Sequence, residues 1–570
     1  MSERAIAVIG VGPRGLSVLE RLLVRLRGTP YRDGDEVTIW AFDAVGHGGG
    51  RVWRVDQPSW LSANTTAGES TMRSPGDDGL PAHRYGTMAR WAGLEPGAYP
   101  ARRLYGQYLA DVFRALCATA PPHVRVRPVR AEVTGLTRVP GGLRLVAGGR
   151  AYRVDKAVLT TGHGSVEPDE EQLSWLRHAD EHALRYVPPG LAAEMPLDDL
   201  PPGAEVAVRG FGLTFYDVMR AVTLGRGGRF VPTRDGLRYV PSGDEPRLLA
   251  LSRGGLPFLA RPEVPDFPAP PVRLRVVTEE RLAELRAAAL EATGTPQLDF
   301  ARRVEPLIQY EADLACSTGA AHPLTRLARP FRGRWFAGPG DYRAALARLL
   351  REDARRADAG CVDGTVKAAT EMLRVIRPLL PQVVDFGGLL PDSHRDFLSR
   401  FVPESFVLSA GPPAEHVDQL AALLEAGIVR PVGPGGTVEP VPGGFGVSSP
   451  QVRGSRRVTK VLVDARAPAR DLSRDASPLV KQLLADGMVS EFVNVDPSTG
   501  ARFDVGGLAV TRAPYRVIDR LGRAARDLHA LGVATNHTRW FTEVGTGRPG
   551  QDSPFFRDAD AVAAALLARP

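Results

Sequence analysis

The chain has 570 residues, of which 43% are hydrophobic and 24% charged, so it is long enough for two or three packed cores and ordinary for a globular protein. Its 72 basic and 65 acidic residues leave a formal charge of +7, mild at this length, and no basic-aromatic stripe suggests a nucleic-acid partner. Cys117, Cys316 and Cys361 are far apart and odd in number, which excludes a disulfide scaffold or a cysteine metal site and fits a reducing cytoplasm. No segment approaches the ~18 consecutive apolar residues of a membrane helix, and, with a strand starting at once and no basic, apolar leader pattern, no signal sequence is expected.

The first element is the most telling. Residues 4–9 are apolar and β-branched, as a fully buried parallel strand requires, and Gly10-Val11-Gly12-Pro13-Arg14-Gly15 follows at once. Leu16, Leu19, Leu22, Leu23 and Leu26 then recur at helical spacing. Strand, glycine turn and helix together predict a dinucleotide clamp: Gly10 for the turn, Gly12 for approach to a pyrophosphate, and Gly15 for close helix–strand packing. Pro13 and Arg14 lie inside the same turn. Residues 36–43 read as the second strand, ending in Asp43, whose carboxylate would accept from a ribose diol. An acid there suits FAD or NAD better than a 2′-phosphate.

Residues 44–100 are rich in loops, and their glycines and short polar side chains suit a backbone wrapped around a flat cofactor. Arg51 and Asp56 in this stretch, and Thr65 further on, are candidate cofactor contacts. A helix is expected at 104–117, then an antiparallel meander of strands at 124–126, 131–133, 143–146 and 151–154. Another buried strand at 156–161 ends in the glycine turn at Gly162.

A second dinucleotide unit begins with the strand 205–209 and the turn Gly210-Phe211-Gly212, with Phe215 in the third glycine position. Arg209, Arg226, Arg229, Arg247 and Arg253 surround it, and guanidiniums near a second nucleotide favour NADPH over NADH. Prolines at 262–271 mark a linker, and residues 279–440 read as a helical insert. Within it, Arg329 and Arg332 stand beside aromatics and are candidates for an anionic substrate. His178 and His182 share a helix spacing but lack a third ligand, so no metal site is expected. After a strand at 457–464, the turn through Gly547, Gly550 and Ser553 leads into a last helix, placing N–H donors where a flavin edge could sit.

The expected architecture is therefore α/β: two Rossmann-like dinucleotide-binding domains plus a mainly helical insert. The boundaries are an FAD-binding domain at 1–165 and 440–570, an NAD(P)H-binding domain at 166–275, and a helical substrate region at 276–439.

Several segments together resemble a bacterial family of FAD/NAD(P)-binding proteins related to flavin-dependent N-monooxygenases, including aspartate N-monooxygenases that make nitrosuccinate. The resemblance rests on residues 7–17, 50–57, Asn64-Thr65, 103–109, 161–163, 209–215, Ser252-Arg253, 409–414, 463–466 and 547–550. Ala63 and Thr66, flanking Asn64-Thr65, depart from the family pattern. The resemblance implies a monooxygenase that consumes NADPH and molecular oxygen and oxidises the amine of a small amino acid. Trp53, Asp56, Gln57, Asn64 and Thr65 are the expected ring-facing or polar positions near the flavin, with Asn64, Trp53 and Gln57 the catalytic candidates. The alternatives are a flavin-dependent dehydrogenase, a carbon-oxidising monooxygenase, or a nucleotide-binding scaffold without catalysis. A cytoplasmic protein with no membrane or nucleic-acid partner is expected; homo-oligomerisation is left open.

Overall fold

The computed structural model describes residues 3–28, 36–76, 80–263, 273–316, 323–361, 364–468 and 470–568. Glu3–Ile9 lies inside a six-stranded sheet, and Ile6, Ala7 and Val8 have no exposed surface. The spatial order is Arg516–Ile518, Ala524–Ala530, Lys156–Leu159, Glu3–Ile9, Glu36–Phe42, Val124–Val129. All neighbours run parallel except the first pair. The strand order reverses between Glu3–Ile9 and Lys156–Leu159, the place where open α/β sheets bind their ligands. The first helix, Pro13–Arg27, packs on the last, Pro554–Leu567, and Arg25 pairs with Asp560 across them at 2.5 Å.

One expected strand has a different partner. Val124–Val129 is the edge of the first sheet, and the antiparallel meander holds only Val133–Val139, Gly142–Ala147 and Arg150–Val154. Alternating burial is common to a sheet edge and a meander, so the pattern alone does not choose between them. The helix expected at 104–117 runs over Arg102–Ala118.

The second sheet is all parallel, in the order Val429–Gly433, Arg247–Leu251, Glu205–Arg209, Val461–Asp464, Arg185–Val187. Its core is shared with the helices Leu213–Val222, Pro339–Asp358 and Ala414–Glu425. Two expected boundaries therefore move. Part of the region 276–439 belongs to the second lobe, and Val461–Asp464, placed with the FAD-binding segment 440–570, pairs with Glu205–Arg209 instead. Buried parallel strands carry little in their sequence that names their neighbour.

A third core gathers Leu282, Phe300, Ile308, Leu373, Phe397 and Phe401 from the helical region, with Trp540 from the C-terminal segment seated among them. Most of the proline linker, 264–272, lies outside the described residues.

Candidate active site

The first glycine turn is built as its spacing requires. Gly10 has φ +92°, and a Cβ there would collide with the Thr160 carbonyl; one on Gly15 would collide with the carbonyl of Gly10. At Gly12 the nearest atom to such a Cβ is Gly50 Cα at 3.9 Å, so this side of the turn is open. Gly12 caps the first helix without any side-chain acceptor, and Pro13 occupies its first turn. Free N–H groups beside an open glycine fit a pyrophosphate. Asp43 Oδ2 accepts from Val11 N at 2.9 Å, and Oδ1 from Val45 N at 2.9 Å and Gly46 N at 2.8 Å. Asp43 thus braces the turn, and a ribose hydroxyl would share these acceptors. Arg14 aims its guanidinium at the last helix, 3.8 Å from Asp558 and over the Phe555 ring at 4.7 Å, leaving its backbone at the cradle.

The loop after Asp43 and the C-terminal turn converge on this cradle. The Trp53 ring meets Tyr105 edge to face at 4.8 Å, and a Cβ at Gly545 would lie 3.4 Å from Trp53 Nε1 and 3.5 Å from Pro13 Cγ. Thr71 and Gly547 exchange backbone hydrogen bonds of 3.3 and 2.9 Å, and Gly550 turns the chain with φ +69°. Ser553 caps the last helix with a buried hydroxyl that has no partner among the described residues, the kind of orphaned polar atom a bound flavin edge would satisfy. Gln57 donates to Val52 O and Arg54 O and leaves a buried Oε1 without a partner among the described residues. Asp56 instead has a side chain 71% exposed and pairs with Arg54. Arg51 spans the lobes, bound to Glu194 at 2.6 Å and to Ser165 Oγ at 3.1 Å.

The second cradle repeats the first with two changes: Phe215 takes the third glycine position, and the Phe258 ring stands over Gly212, 3.3 Å from where a Cβ would lie. Gly210 has φ +110°, and a Cβ there would stand 2.8 Å from Ala465 O; Gly212 caps the helix Leu213–Val222 with no side-chain acceptor. Phe215 is fully buried against Phe211. Among the surrounding arginines, Arg209 is held by Glu171 at 2.7 Å and Arg226 by three backbone carbonyls. Arg229, Arg247 and Arg253 are exposed. Arg253 follows the strand beside Glu205–Arg209, and no acid pairs with it among the described residues. A cleft past the ends of Lys156–Leu159 and Val461–Asp464 is lined by Gly162, His163, Pro468, Arg470, Val533 and Asn536. Burial, with Arg470 and Arg51 nearby, pushes His163 down to about 4, so it stays neutral near pH 7.

Asn64 leads to a cluster absent from the sequence expectations. Its carbonyl accepts from Arg261, whose other nitrogen lies 3.1 Å from Glu69. Arg548 reaches the same carboxylate at 3.1 Å and Arg374 at 3.4 Å. Burial would raise the Glu69 carboxyl, but Arg261, Arg548 and Arg374 outweigh it and hold it down to about 2. Thr65 stands half-buried in this loop, and Thr66 donates to Glu69. Arg374 also pairs with Glu371. Arg377 donates to Ser409 Oγ at 2.6 Å between the rings of Phe406 and Phe541; burial, with Arg374 and Arg261 close by, pushes its guanidinium down to about 9. Four guanidiniums thus face two carboxylates, Glu69 and Glu371. The available signal was Lys367, Glu371 and Arg374 at helical spacing on a segment read only for its apolar residues.

The arginines expected to bind substrate lie elsewhere. The Arg329 side chain is 41% exposed and pairs with Glu404 at 2.7 Å, and Arg332 is exposed. His178 is held by the backbone, its Nε2 lying 3.0 Å from Gly444 O, and no metal-binding group of side chains occurs among the described residues. No described helix is long and apolar enough to cross a membrane.

Two glycine turns, each between a buried parallel strand and a helix, define a flavoprotein that carries FAD and NAD(P)H. The family described as FAD-NAD(P)-binding matches residues 7–164. Nitrosuccinic acid synthase of Aspergillus oryzae is 34% identical, covering 99% of this chain and 92% of its own. An L-aspartate N-monooxygenase (nitrosuccinate-forming) of Streptomyces cremeus is 35% identical, covering 98% and 94%. Among solved structures, lysine monooxygenase NbtG from Nocardia farcinica is 14% identical over 100% of each chain, with a TM-score of 0.37. The chain belongs to the nitrosuccinate-forming N-monooxygenase family, and is an FAD- and NAD(P)H-dependent monooxygenase rather than a dehydrogenase or an idle scaffold.

Proposed function

We propose that the protein N-oxygenates L-aspartate and that the cluster of Arg261, Arg374, Arg377 and Arg548 grips both substrate carboxylates. The observation that carries this is the charge imbalance of that cluster. Four guanidiniums against Glu69 and Glu371 leave a surplus of two positive charges, which a dicarboxylate neutralises and a monocarboxylate does not. The side chain of Arg548 is 42% exposed and that of Arg374 17%, so the cluster is reachable from solvent on one side and buried on the other. The named substrate of the Streptomyces relatives is the matching dicarboxylic amino acid.

Gly10, Gly12 and Gly15 seat the FAD pyrophosphate, the loop through Trp53, Gln57 and Asn64 approaches the ring, and the turn Gly547–Ser553 offers donors to its edge. Bound FAD supplies hydride acceptance from NADPH and the activation of molecular oxygen. The arginines hold the carboxylates in a water-poor site, fixing the amine in one place. Cys117, Cys316 and Cys361 form no disulfide among the described residues, which accords with a cytoplasmic enzyme.

The test is a panel of L-aspartate, L-asparagine, L-alanine and L-lysine, followed by NADPH consumption and by mass spectrometry of N-oxygenated product. Only aspartate should yield product efficiently. R374M and R548M should raise KM for aspartate about tenfold or more, the scale of a charge-assisted hydrogen bond. R329M and R332M should stay within about twofold of the parent, a change below ~0.5 kcal/mol. Asparagine turning over as well as aspartate, or the loss falling on Arg329 and Arg332, would remove the assignment.

A further inference from the structure

One buried ion pair holds the peptide immediately before Arg261. Ala260 N donates to Asp353 Oδ2 at 2.7 Å, and Ala260 O accepts from Lys367 Nζ at 2.6 Å. Lys367 and Asp353 meet each other at 2.7 Å, with side chains only 4% and 10% exposed. The Arg261 amide is fixed in turn, donating to Pro412 O at 3.0 Å. The two charged residues come from different elements: Asp353 from Pro339–Asp358, which shares the core of the second lobe, and Lys367 from Val366–Ile376, which belongs to the helical region.

A buried ion pair adds little net stability over an apolar pair of the same volume, because desolvation offsets its attraction. What this one supplies is geometry. It satisfies both polar groups of a single residue and joins that stretch of backbone to the helix that carries Glu371 and Arg374. Arg261 and Arg374, from separate segments, are thereby held in one frame around Glu69.

We propose that Lys367 and Asp353 are positioning residues for substrate: they touch no ligand, and they aim the Arg261 guanidinium at a substrate carboxylate. This rests on the Arg261–Arg374–Arg377–Arg548 cluster being the carboxylate site. Loss of the clamp lets the backbone at Ala260 turn, and Arg261 swings with it. A displacement of about 1 Å in a substrate-holding group costs up to about a hundredfold.

The test compares K367M, R261M and the double variant as flavin-loaded enzymes. The Kd of L-aspartate is read from perturbation of the flavin absorbance, with KM and kcat for aspartate and KM for NADPH alongside. K367M should weaken aspartate binding about ten- to a hundredfold while flavin content and KM for NADPH change less than about twofold. The double variant should bind no more weakly than R261M, since both remove one interaction. Effects that multiply, or that fall equally on NADPH and flavin, overturn the proposal. Should K367M not fold, D353N replaces it; the new amide can still accept from Ala260 N but lacks the charge facing Lys367. The same selective loss, smaller in size, is then expected, and unchanged aspartate binding overturns the proposal. R261M with unaltered affinity would instead remove the carboxylate site itself. R261M weakened beside an unaffected K367M would remove only the positioning role.

Discussion

Arg253 stands just past the end of Arg247–Leu251, the strand neighbouring the one that feeds Gly210 and Gly212. In a dinucleotide-binding unit, that position faces the adenosine ribose, and a guanidinium there accommodates a 2′-phosphate. Arg253 is exposed and not engaged by any acid among the described residues, whereas Arg209 is already held by Glu171. R253A should therefore raise KM for NADPH by about tenfold or more while leaving NADH nearly unchanged. Steady-state kinetics with both nucleotides decide it: an equal loss for the two coenzymes would place Arg253 on a shared phosphate or outside the site. Single residues of this kind were legible because their meaning is local. A glycine turn between a buried strand and a helix carries its own context within a few residues. The carboxylate cluster was not, because Glu69, Arg261, Arg374 and Arg548 come from four distant segments and each alone resembles a solvated charge.

The elements show the same division between local and distant information. The buried strands were recognisable from their apolar runs, but those runs do not say which sheet they join. Val461–Asp464 reads like any other buried strand, and only the fold places it beside Glu205–Arg209. The short helix Pro381–Val384 illustrates how distant elements are tied. It ends at Asp385, whose Oδ1 accepts from Trp540 N at 2.8 Å and whose other oxygen lies 3.6 Å from Arg539. Burial outweighs Arg539 and pushes the Asp385 carboxyl up to about 7, against an ordinary 3.8. The folded state then holds this proton more tightly than the unfolded chain does. Ionising Asp385 costs stability progressively between the two values, and the cost is complete above the upper one. D385N keeps an acceptor for Trp540 N and removes the charge. Relative to the parent, its melting temperature should rise between pH 5 and pH 8, by roughly 2 °C or more for a chain of this size. A difference that does not vary with pH would mean that Asp385 titrates as an exposed carboxylate does.

At the scale of the whole molecule, the two lobes meet through charged and polar ties. Arg102, on the helix Arg102–Ala118, pairs with Asp217 of the second lobe at 2.7 Å and also donates to Ser62 O at 3.0 Å. Arg220 donates to Trp60 O at 2.8 Å, and Arg51 and Arg54 both reach Glu194. These ties differ in burial. The Arg102–Asp217 side chains are 21% and 11% exposed, and those of Arg51–Glu194 are 34% and 26%. An exposed pair is screened by salt and contributes about 1 kcal/mol or less, whereas removing one partner of a buried pair costs about 3–5 kcal/mol. E194Q should accordingly fold with nearly parental stability, while R102M should melt clearly lower. In hydrogen exchange, E194Q should open residues 51–54 and 192–195 to the extent that about 0.5 M salt opens them in the parent, since the screening length there falls to roughly 4 Å. The helix Leu213–Val222 should keep its protection in both. Because Arg51 lies in the loop leading to Trp53 and Gln57, freeing it should also raise the fraction of NADPH consumed without amine oxidation. Equal destabilisation by E194Q and R102M, or exchange that ignores salt, would show that contacts other than these ion pairs hold the lobes together instead.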